Sequence, residues 1–308
     1  MQHLAIIGPG AIGGTVAAWL NETGRYRITV CGRRPLAEIT VETKQRELRF
    51  QPQIVLEPAM APSVDWVFVA TKAYDAPSAA RWLPALTRNG APVAVLQNGV
   101  EHMDRFVAVV PAERIVPVVV NLPCERRAAD RIWQRAGGRL TVPDGPLGRE
   151  FVAFFADTPI MAGVTADFKS AAWRKLCLNA VGILSALTRR PAGVMREEAM
   201  AGLGRAIAQE CIAVGRAEGA VLEDGLADEV VRDYQAAPPD AVNSLHADRE
   251  AGRPMEIEAR NGVIVRRGEK HGISTPCNRM AVALLEALGR AEHTGRPEGS
   301  NSAGGMHC

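Results

Sequence analysis

A strand, a glycine-rich turn and a helix follow one another in the first twenty residues, and this combination limits the fold more than any other feature of the sequence. An apolar run over residues 4–7 predicts a short buried strand, and residues 15–20 predict a helix. Between them, Gly8, Gly10 and Gly13 have the G-x-G-x-x-G spacing. Such a turn lets a pyrophosphate approach the backbone at the positive end of the helix. The segment predicts a dinucleotide-binding domain; the alternative is an ordinary glycine-rich turn.

The second predicted strand, residues 27–31, indicates which dinucleotide is bound. In NAD enzymes an acidic residue about 20 positions after the glycines binds the ribose 2′-hydroxyl. Here Arg33 and Arg34 follow the strand instead. A guanidinium forms paired, charge-assisted hydrogen bonds with phosphate, so this favours NADP with both arginines at its 2′-phosphate, against the alternative of a solvated basic turn. The loop residues expected to hold the cofactor are Gly8, Pro9, Gly10, Ala11, Ile12 and Gly13.

The 308 residues are enough for two domains at roughly 150 residues each. Further strands are predicted at 65–71, 92–96, 115–120, 140–142 and 160–162, with helices over 77–86 and 149–155. After about residue 166 the pattern becomes helical, over 170–187, 197–218, 226–236, 241–249, 254–272 and 277–293. We therefore expect an α/β fold: a Rossmann-type NADP-binding domain over 1–165, an all-helical substrate domain over 166–294 and a flexible tail over 295–308.

Composition narrows the class of protein and its compartment. The net charge of +2 gives no electrostatic reason to expect nucleic acid or an acidic membrane surface as a partner. No apolar run reaches the ~18 residues of a membrane-spanning helix, and no signal peptide is recognised. The six cysteines are scattered without a C-x-x-C pair, which argues against a zinc site and a disulfide framework. We expect no metal, and a cytoplasmic protein in a reducing compartment.

Two polar residues directly follow predicted strands. Lys72 comes after the strand at 65–71, and Asn98 after the strand at 92–96. Ligands of open parallel sheets bind outside the carboxyl ends of the strands, so both residues are candidates for a site. Each is also an ordinary turn residue, and Asn98-Gly99 alone is a turn signal.

The helical half offers a candidate proton donor. Reduction of a carbonyl by NADPH requires a proton for the developing alkoxide. Lys175 and Asn179 are four residues apart and share one helix face, where an ammonium and an amide can polarise and orient a carbonyl. The alternative is a solvent-facing lysine. Farther along, Glu256 and Arg260 have the i, i+4 spacing of a surface ion pair.

These segments, taken in order, resemble the ketopantoate reductase (2-dehydropantoate 2-reductase) family up to about residue 290. The resemblance implies NADPH-dependent reduction of 2-dehydropantoate to (R)-pantoate, in the route to pantothenate and coenzyme A. It implies Lys175 as proton donor, with Glu256 at the cofactor ribose close to it. It implies that Asn98, Asn179 and Ser244 bind a small 2-oxo acid, and that Lys72 and Asn98 lie near the cofactor. Whether the protein forms a homodimer is left open by the sequence. The segments that carry the resemblance are residues 8–13, Arg33, Lys72 in 70–73, 97–99, 173–176 with Asn179, Ser244, and Glu256 before 261–262.

Two substrate-binding asparagines of the family are not matched. Their positions hold Ile183, after Gly182, and Ala192. In the family these side chains bind the hydroxyl end of the substrate, so a different 2-oxo acid with an apolar end is an alternative. An NADPH-binding regulator without turnover is a second alternative, disfavoured because a sensor needs no proton donor such as Lys175. A histidine-based dehydrogenase is disfavoured because none of the six histidines has an evident orienting acid in the sequence.

Overall fold

The computed structural model describes residues 1–294, and a parallel sheet organises its first half. The strands in chain order are β1 (Gln2–Ile7), β2 (Tyr26–Cys31), β3 (Ile39–Glu42), β4 (Glu47–Phe50), β5 (Gln53–Val55), β6 (Trp66–Val69), β7 (Val93–Val95), β8 (Ile115–Pro117), β9 (Val119–Asn121), β10 (Cys124–Arg126), β11 (Arg131–Gln134), β12 (Gly138–Pro143) and β13 (Ile160–Thr165). Six form a parallel sheet in the order β5-β2-β1-β6-β7-β8. The strand order reverses between β1 and β6, which is where such sheets bind ligands.

Helices cover this sheet and make up the second half. They are α1 (Ala11–Glu22), α2 (Ala76–Ala80), α3 (Leu83–Leu86), α4 (Pro146–Ala153), α5 (Phe168–Val181), α6 (Ile183–Thr188), α7 (Glu198–Ala217), α8 (Leu226–Ala236), α9 (Ser244–Glu250), α10 (Val263–Lys270) and α11 (Pro276–Thr294). A π-helical segment, Glu258–Gly262, leads into α10. The predicted fold class, a Rossmann-type half followed by a helical half, is confirmed.

Burial on both faces explains why the sheet strands are continuous apolar runs. Ile6 and Phe68 lie in one core cluster, whereas Ile7 and Val69 lie in another on the opposite face. Side chains alternate between the faces of a strand, so each strand contributes to both cores. The predictions at 4–7, 27–31, 65–71, 92–96, 140–142 and 160–162 are confirmed as β1, β2, β6, β7, β12 and β13.

Two smaller sheets flank the first, and the sequence predicted them only in part. They have the strand orders β10-β11-β3-β4 and β13-β12-β9. The strand predicted over 115–120 is divided, because β8 joins the parallel sheet whereas β9 pairs antiparallel with β12. Strands β3, β4, β5, β10 and β11 were not predicted. Each has only three or four residues, and β3 pairs with β11 across about ninety residues of chain, so no local pattern specifies them.

The helix predicted over 170–187 is also divided, at Gly182. The Tyr234 hydroxyl donates to the Leu178 carbonyl at 3.0 Å, and the Asn243 amide donates to the Gly182 carbonyl at 3.0 Å. These side chains occupy carbonyls that a continuous helix uses for its own hydrogen bonds. A Cβ on Gly182 would lie 2.7 Å from the Tyr234 hydroxyl oxygen, so only glycine fits.

The other predicted helices agree with the structure to varying degrees. Residues 197–218, 226–236 and 277–293 are confirmed as α7, α8 and α11, and Gly219 follows α7 with a left-handed φ of 88°. The segment 77–86 forms α2 and α3, 149–155 overlaps α4, 241–249 overlaps α9, and 254–272 overlaps the π-helical segment and α10. The tail predicted over 295–308 lies outside the described residues. In residues 1–294 no helix is both long and apolar enough to cross a membrane.

Candidate active site

The glycine loop after β1 forms an open cradle at the start of α1. Gly10 is the N-cap residue, no side chain caps the helix, and a Cβ on Gly10 would meet no atom within 4 Å. The first backbone N–H groups of α1 therefore face open space, and an anion can bind there. Gly13 is packed instead, since its Cβ would lie 2.2 Å from the Gly8 carbonyl oxygen. These residues fit the pyrophosphate of a dinucleotide.

Arginines gather beyond the end of β2. Arg33 has an 81% exposed side chain and lies 3.6 Å from the Asp75 carboxylate, and Arg34 is exposed. Burial lowers the pKa of Arg126, and the positive charges of Arg253, Arg34 and Arg33 lower it further. The charge of Arg126 is therefore opposed by three other arginines, which come from two other parts of the chain. Such a cluster favours binding of an anion.

Lys72 connects the two halves of the molecule. Its Nζ donates to Asp248 Oδ2 at 2.7 Å and to Glu256 Oε2 at 3.3 Å. Burial tends to lower the pKa of Lys72, but the charges of the two carboxylates outweigh it, and the pKa is raised. Asp248 also binds Arg253, at 2.9 Å. The lysine is thus held in its charged form at the boundary between the sheet and the helices.

Glu256 accepts hydrogen bonds from several parts of the first half. The backbone N–H of Ala73 donates to Oε1 at 2.8 Å, and the Asn98 amide donates to Oε2 at 3.0 Å. Burial opposes ionisation of this carboxyl. The charges of Lys72 and Arg260, together with these hydrogen bonds, outweigh burial and lower the pKa of Glu256. Glu256 is therefore an ionised carboxylate that orients Asn98.

Lys175 and Asn179 line one cleft with Asn98, between the carboxyl end of β7 and the helix α5. The Asn179 amide nitrogen lies 3.4 Å from Asn98 Oδ1. Burial lowers the pKa of Lys175 to about 8, and the positive charge of Arg260 adds to the effect. The pKa of the Lys175 ammonium group is therefore close to neutral pH, where proton transfer from it is most effective.

The cleft is connected to the glycine loop through Thr71. A Cβ on Gly8 would lie 2.8 Å from Thr71 Cγ2, and the Gln97 amide donates to Thr71 Oγ1 at 2.9 Å. Gln97 and Asn98 then line the cleft that contains Lys175. The cradle for a dinucleotide and the candidate proton donor are thus parts of one continuous site.

Ser244 and Arg260 form a second polar pair in the helical half. The Arg260 guanidinium donates to Ser244 Oγ at 2.6 Å. Glu256 is 4% exposed and Arg260 is 3% exposed, so the interpretation of these two residues as a surface ion pair is wrong. The i, i+4 spacing cannot distinguish a surface from an interior face. Arg260 lies in the π-helical segment, whose backbone packs against Gly99, since a Cβ there would meet the Ala259 carbonyl at 2.6 Å.

His102 lies at the cleft that contains Lys175, and it does not fit a proton donor. It lines the same cleft and donates from Nε2 to the Gln97 carbonyl at 2.9 Å. Burial and the charge of Arg105 lower its pKa to about 3. The ring is therefore neutral at physiological pH and occupied by a structural hydrogen bond. This supports Lys175 over histidine as the acid.

The two positions that depart from the family pattern are buried. Ile183 is inaccessible to solvent and belongs to the core of the helical half, and Ala192 is 3% exposed. Neither residue lines the cleft around Lys175.

Sequence reasoning missed several charged residues of the site: Asp248, Arg126, Arg253, and Arg260 as a buried group. Asp248 lies 176 positions after Lys72, its partner, so no spacing rule connects the two. Arg126 lies on β10, one of the strands that were not predicted. The only signal for Arg260 was its spacing from Glu256, which favoured the surface instead.

Comparison with known proteins agrees with this architecture. The family model described as "Ketopantoate reductase PanE/ApbA" matches residues 4–146, and its C-terminal counterpart matches residues 167–289. A Caulobacter vibrioides 2-dehydropantoate 2-reductase is 51% identical, covering 93% of this chain and 99% of its own. A Mycobacterium tuberculosis protein of the same name is 38% identical, covering 92% and 97%. The crystal structure of a 2-dehydropantoate 2-reductase from Geobacter metallireducens has a TM-score of 0.87 at 26% identity, covering 93% and 99%.

Proposed function

Because this chain belongs to the ketopantoate reductase family, we propose that it reduces 2-dehydropantoate to (R)-pantoate with NADPH. The observation that carries the proposal is the cleft in which Lys175, with a pKa lowered to about 8, faces Asn98 and Asn179. This cleft adjoins a glycine loop that is open for a dinucleotide. Carbonyl reduction by NADPH needs this combination of a dinucleotide cradle and a proton donor beside it.

Lys175 acts as the proton donor in this proposal. NADPH, when bound, supplies the hydride for the carbonyl carbon. The ammonium of Lys175 donates a hydrogen bond to the keto oxygen, stabilises the negative charge that develops there, and passes a proton from Nζ to that oxygen. Asn98 and Asn179 hold the substrate in the cleft, and Ser244 contacts it from the helical half. Glu256 keeps Asn98 and Lys72 in place and lies at the cofactor ribose.

NADP is the dinucleotide proposed here. Residues 8–13 bind the pyrophosphate, with Lys72 near the nicotinamide, and Arg33 and Arg34 bind the 2′-phosphate. The closeness of Arg126 and Arg253 supports this, because these residues add positive charge where the phosphate is expected. We place the boundary between the NADP-binding and substrate domains near residues 165–166.

The compartment and the assembly are further parts of the proposal. The five cysteines in the described residues are free thiols, which is consistent with a reducing, cytoplasmic compartment. The binding partner that we propose is a small 2-oxo acid. A homodimer is a prediction that sedimentation of the protein would test.

A second candidate is reduction of a different 2-oxo acid with an apolar end. Ile183 and Ala192 favour it, because their apolar side chains are packed in the helical half where the family has asparagines for a hydroxyl group. A site built to bind a hydroxyl discriminates strongly against analogues that lack it. Without those two amides, discrimination between 2-dehydropantoate and its deoxy analogue is expected to be weak.

A panel of 2-oxo acids tests these alternatives. Loss of NADPH absorbance is followed with 2-dehydropantoate, with 3-methyl-2-oxobutanoate, which lacks the hydroxymethyl group, and with straight-chain analogues. We expect kcat/KM to be highest for 2-dehydropantoate. A higher value for an acid without the hydroxyl would favour the second candidate. Tight NADPH binding without oxidation of NADPH by any of these acids would favour a regulator and refute the proposal.

A further inference from the structure

Arg260 is a buried cation whose hydrogen-bonding capacity is only partly used. Its side chain is 3% exposed, it donates to Ser244 Oγ at 2.6 Å, and its Nε has no hydrogen-bond partner in the structure. Among residues 1–289, whose side chains the structure describes, no carboxylate lies within 4.0 Å of its guanidinium nitrogens, unlike the many paired arginines of the surface. A buried, unpaired charge is costly, so it is retained where a ligand provides the missing partner.

The cations around Arg260 outnumber the carboxylates. The site combines the cations Lys72, Lys175, Arg253 and Arg260 with the two carboxylates Asp248 and Glu256. Both carboxylates are bound to Lys72, and Asp248 also binds Arg253. The positive charge of Arg260 is therefore not neutralised by a direct contact, and a monoanionic substrate would balance it.

We propose that Arg260, with Ser244, binds the carboxylate of the 2-oxo acid, an inference that rests on the proposed function. A guanidinium presents parallel N–H donors that match the two oxygens of a carboxylate. Ser244 accepts its hydrogen bond from Arg260, so its own hydroxyl proton is free to be donated to the same carboxylate. Arg260 thereby fixes the carboxylate end of the substrate.

The position of Arg260 relative to Lys175 fits the shape of a 2-oxo acid. In such an acid the carboxylate carbon is bonded directly to the keto carbon, so the groups that bind the two must be neighbours. Arg260 lies in the π-helical segment, which packs against α5, the helix of Lys175, because the Asn261 amide donates to the Ala180 carbonyl at 3.1 Å. The same segment packs against Gly99, next to Asn98. The charge of Arg260 also contributes to the lowered pKa of Lys175. A substrate held by Arg260 through its carboxylate would present its keto oxygen to Lys175.

Two substitutions of Arg260 test the proposal. R260M removes the charge and all donors, whereas R260Q removes the charge but keeps a polar group for Ser244. The matched control is R205M, since Arg205 is a half-exposed arginine on α7 that pairs with Asp228. For each protein, a 2-oxo acid and its methyl ester are compared as substrates, and binding of the acid and of NADPH is measured directly by calorimetry.

We expect both variants to raise the KM for the acid about 10- to 100-fold, the usual scale for a lost hydrogen bond to a charged group. The methyl ester, which carries no charge, is expected to lose less than threefold, and NADPH affinity is expected to stay within about twofold in all proteins. R205M is expected to behave as wild type. An unchanged KM for the acid, or equal losses for acid and ester, would overturn the proposal.

Binding separates failure of this inference from failure of the proposed function. If none of the 2-oxo acids tested supports NADPH oxidation by wild type, the proposed reaction is wrong. Arg260 is then still tested by whether acid binding to the NADP complex is lost in R260Q. If wild type is active and R260Q binds the acid as tightly as wild type, the reaction stands and Arg260 is not the carboxylate ligand. If R260M does not fold, R260Q carries both comparisons.

Discussion

Lys175 is the residue whose altered pKa bears most directly on the proposed reaction. Burial first, and then the charge of Arg260, lower its pKa to about 8, compared with an ordinary value near 10.5. The protonated form, which is the proton donor in the proposed reaction, is lost as the pH rises through that value. We expect kcat/KM for reduction to be level below pH 8 and to fall about tenfold per pH unit above it. The measurement is a pH profile of NADPH oxidation, with NADPH affinity as the control, and a profile that stays level to pH 9.5 would contradict this expectation.

Arg33 is the residue expected to decide between NADP and NAD. It is exposed, so its guanidinium is accessible to a phosphate, and its contact with Asp75 is long at 3.6 Å. R33M is expected to reduce the preference for NADPH over NADH by about tenfold to a hundredfold, because one charge-assisted hydrogen bond contributes roughly 1.5–3 kcal/mol. The ratio of kcat/KM for the two cofactors measures this. The control is R27M at the other end of β2, where Arg27 donates to Gln53, and an equal ratio in wild type and R33M would exclude the role.

At the scale of elements, two glycines of the loop have different roles, one in packing and the other in cofactor binding. A Cβ on Gly13 would lie 2.2 Å from the Gly8 carbonyl oxygen, whereas a Cβ on Gly10 would meet nothing within 4 Å. We expect G13A to lower the free energy of unfolding by about 1–3 kcal/mol, the usual cost of overpacking. G10A is expected to leave stability near that of wild type but to weaken NADPH binding at least about tenfold, because its methyl group occupies the approach of the pyrophosphate. Denaturant unfolding and NADPH titration of both variants distinguish the effects; wild-type NADPH affinity in G10A would show that the loop does not bind the cofactor.

Elements were predictable where their own residues determine them. β1 and β6 are buried on both faces, so their apolar runs identify them directly. The break between α5 and α6 depends instead on Tyr234 and Asn243, which bond to carbonyls of that segment from more than fifty residues away. The short strands β3 and β11 stabilise each other only once paired. Such elements are set by tertiary contacts, and no local pattern contains them.

At the scale of the whole molecule, the candidate site exists only where the two halves meet. Lys72 and Asn98 follow strands of the parallel sheet, whereas Asp248 and Glu256 belong to the helical half, and hydrogen bonds join the two sets. The motifs and the family resemblance predicted Lys72, Asn98, Lys175, Asn179 and Glu256 as candidates. The burial of Arg260 and the partnership of Lys72 with Asp248 depend on how the halves pack. Those features could not be predicted from spacing along the chain.

The central claim is that the Lys175 ammonium protonates a ketone that NADPH reduces, and one comparison tests it most directly. NADPH oxidation with 2-dehydropantoate is measured for wild type, for K175A and for the control variant K169A. Lys169 lies on the same helix as Lys175 and donates to the Glu218 carbonyl. We predict that K175A binds NADPH as wild type does but has a kcat lower by about a hundredfold or more, while K169A keeps its activity. A K175A enzyme with the wild-type kcat would contradict the account.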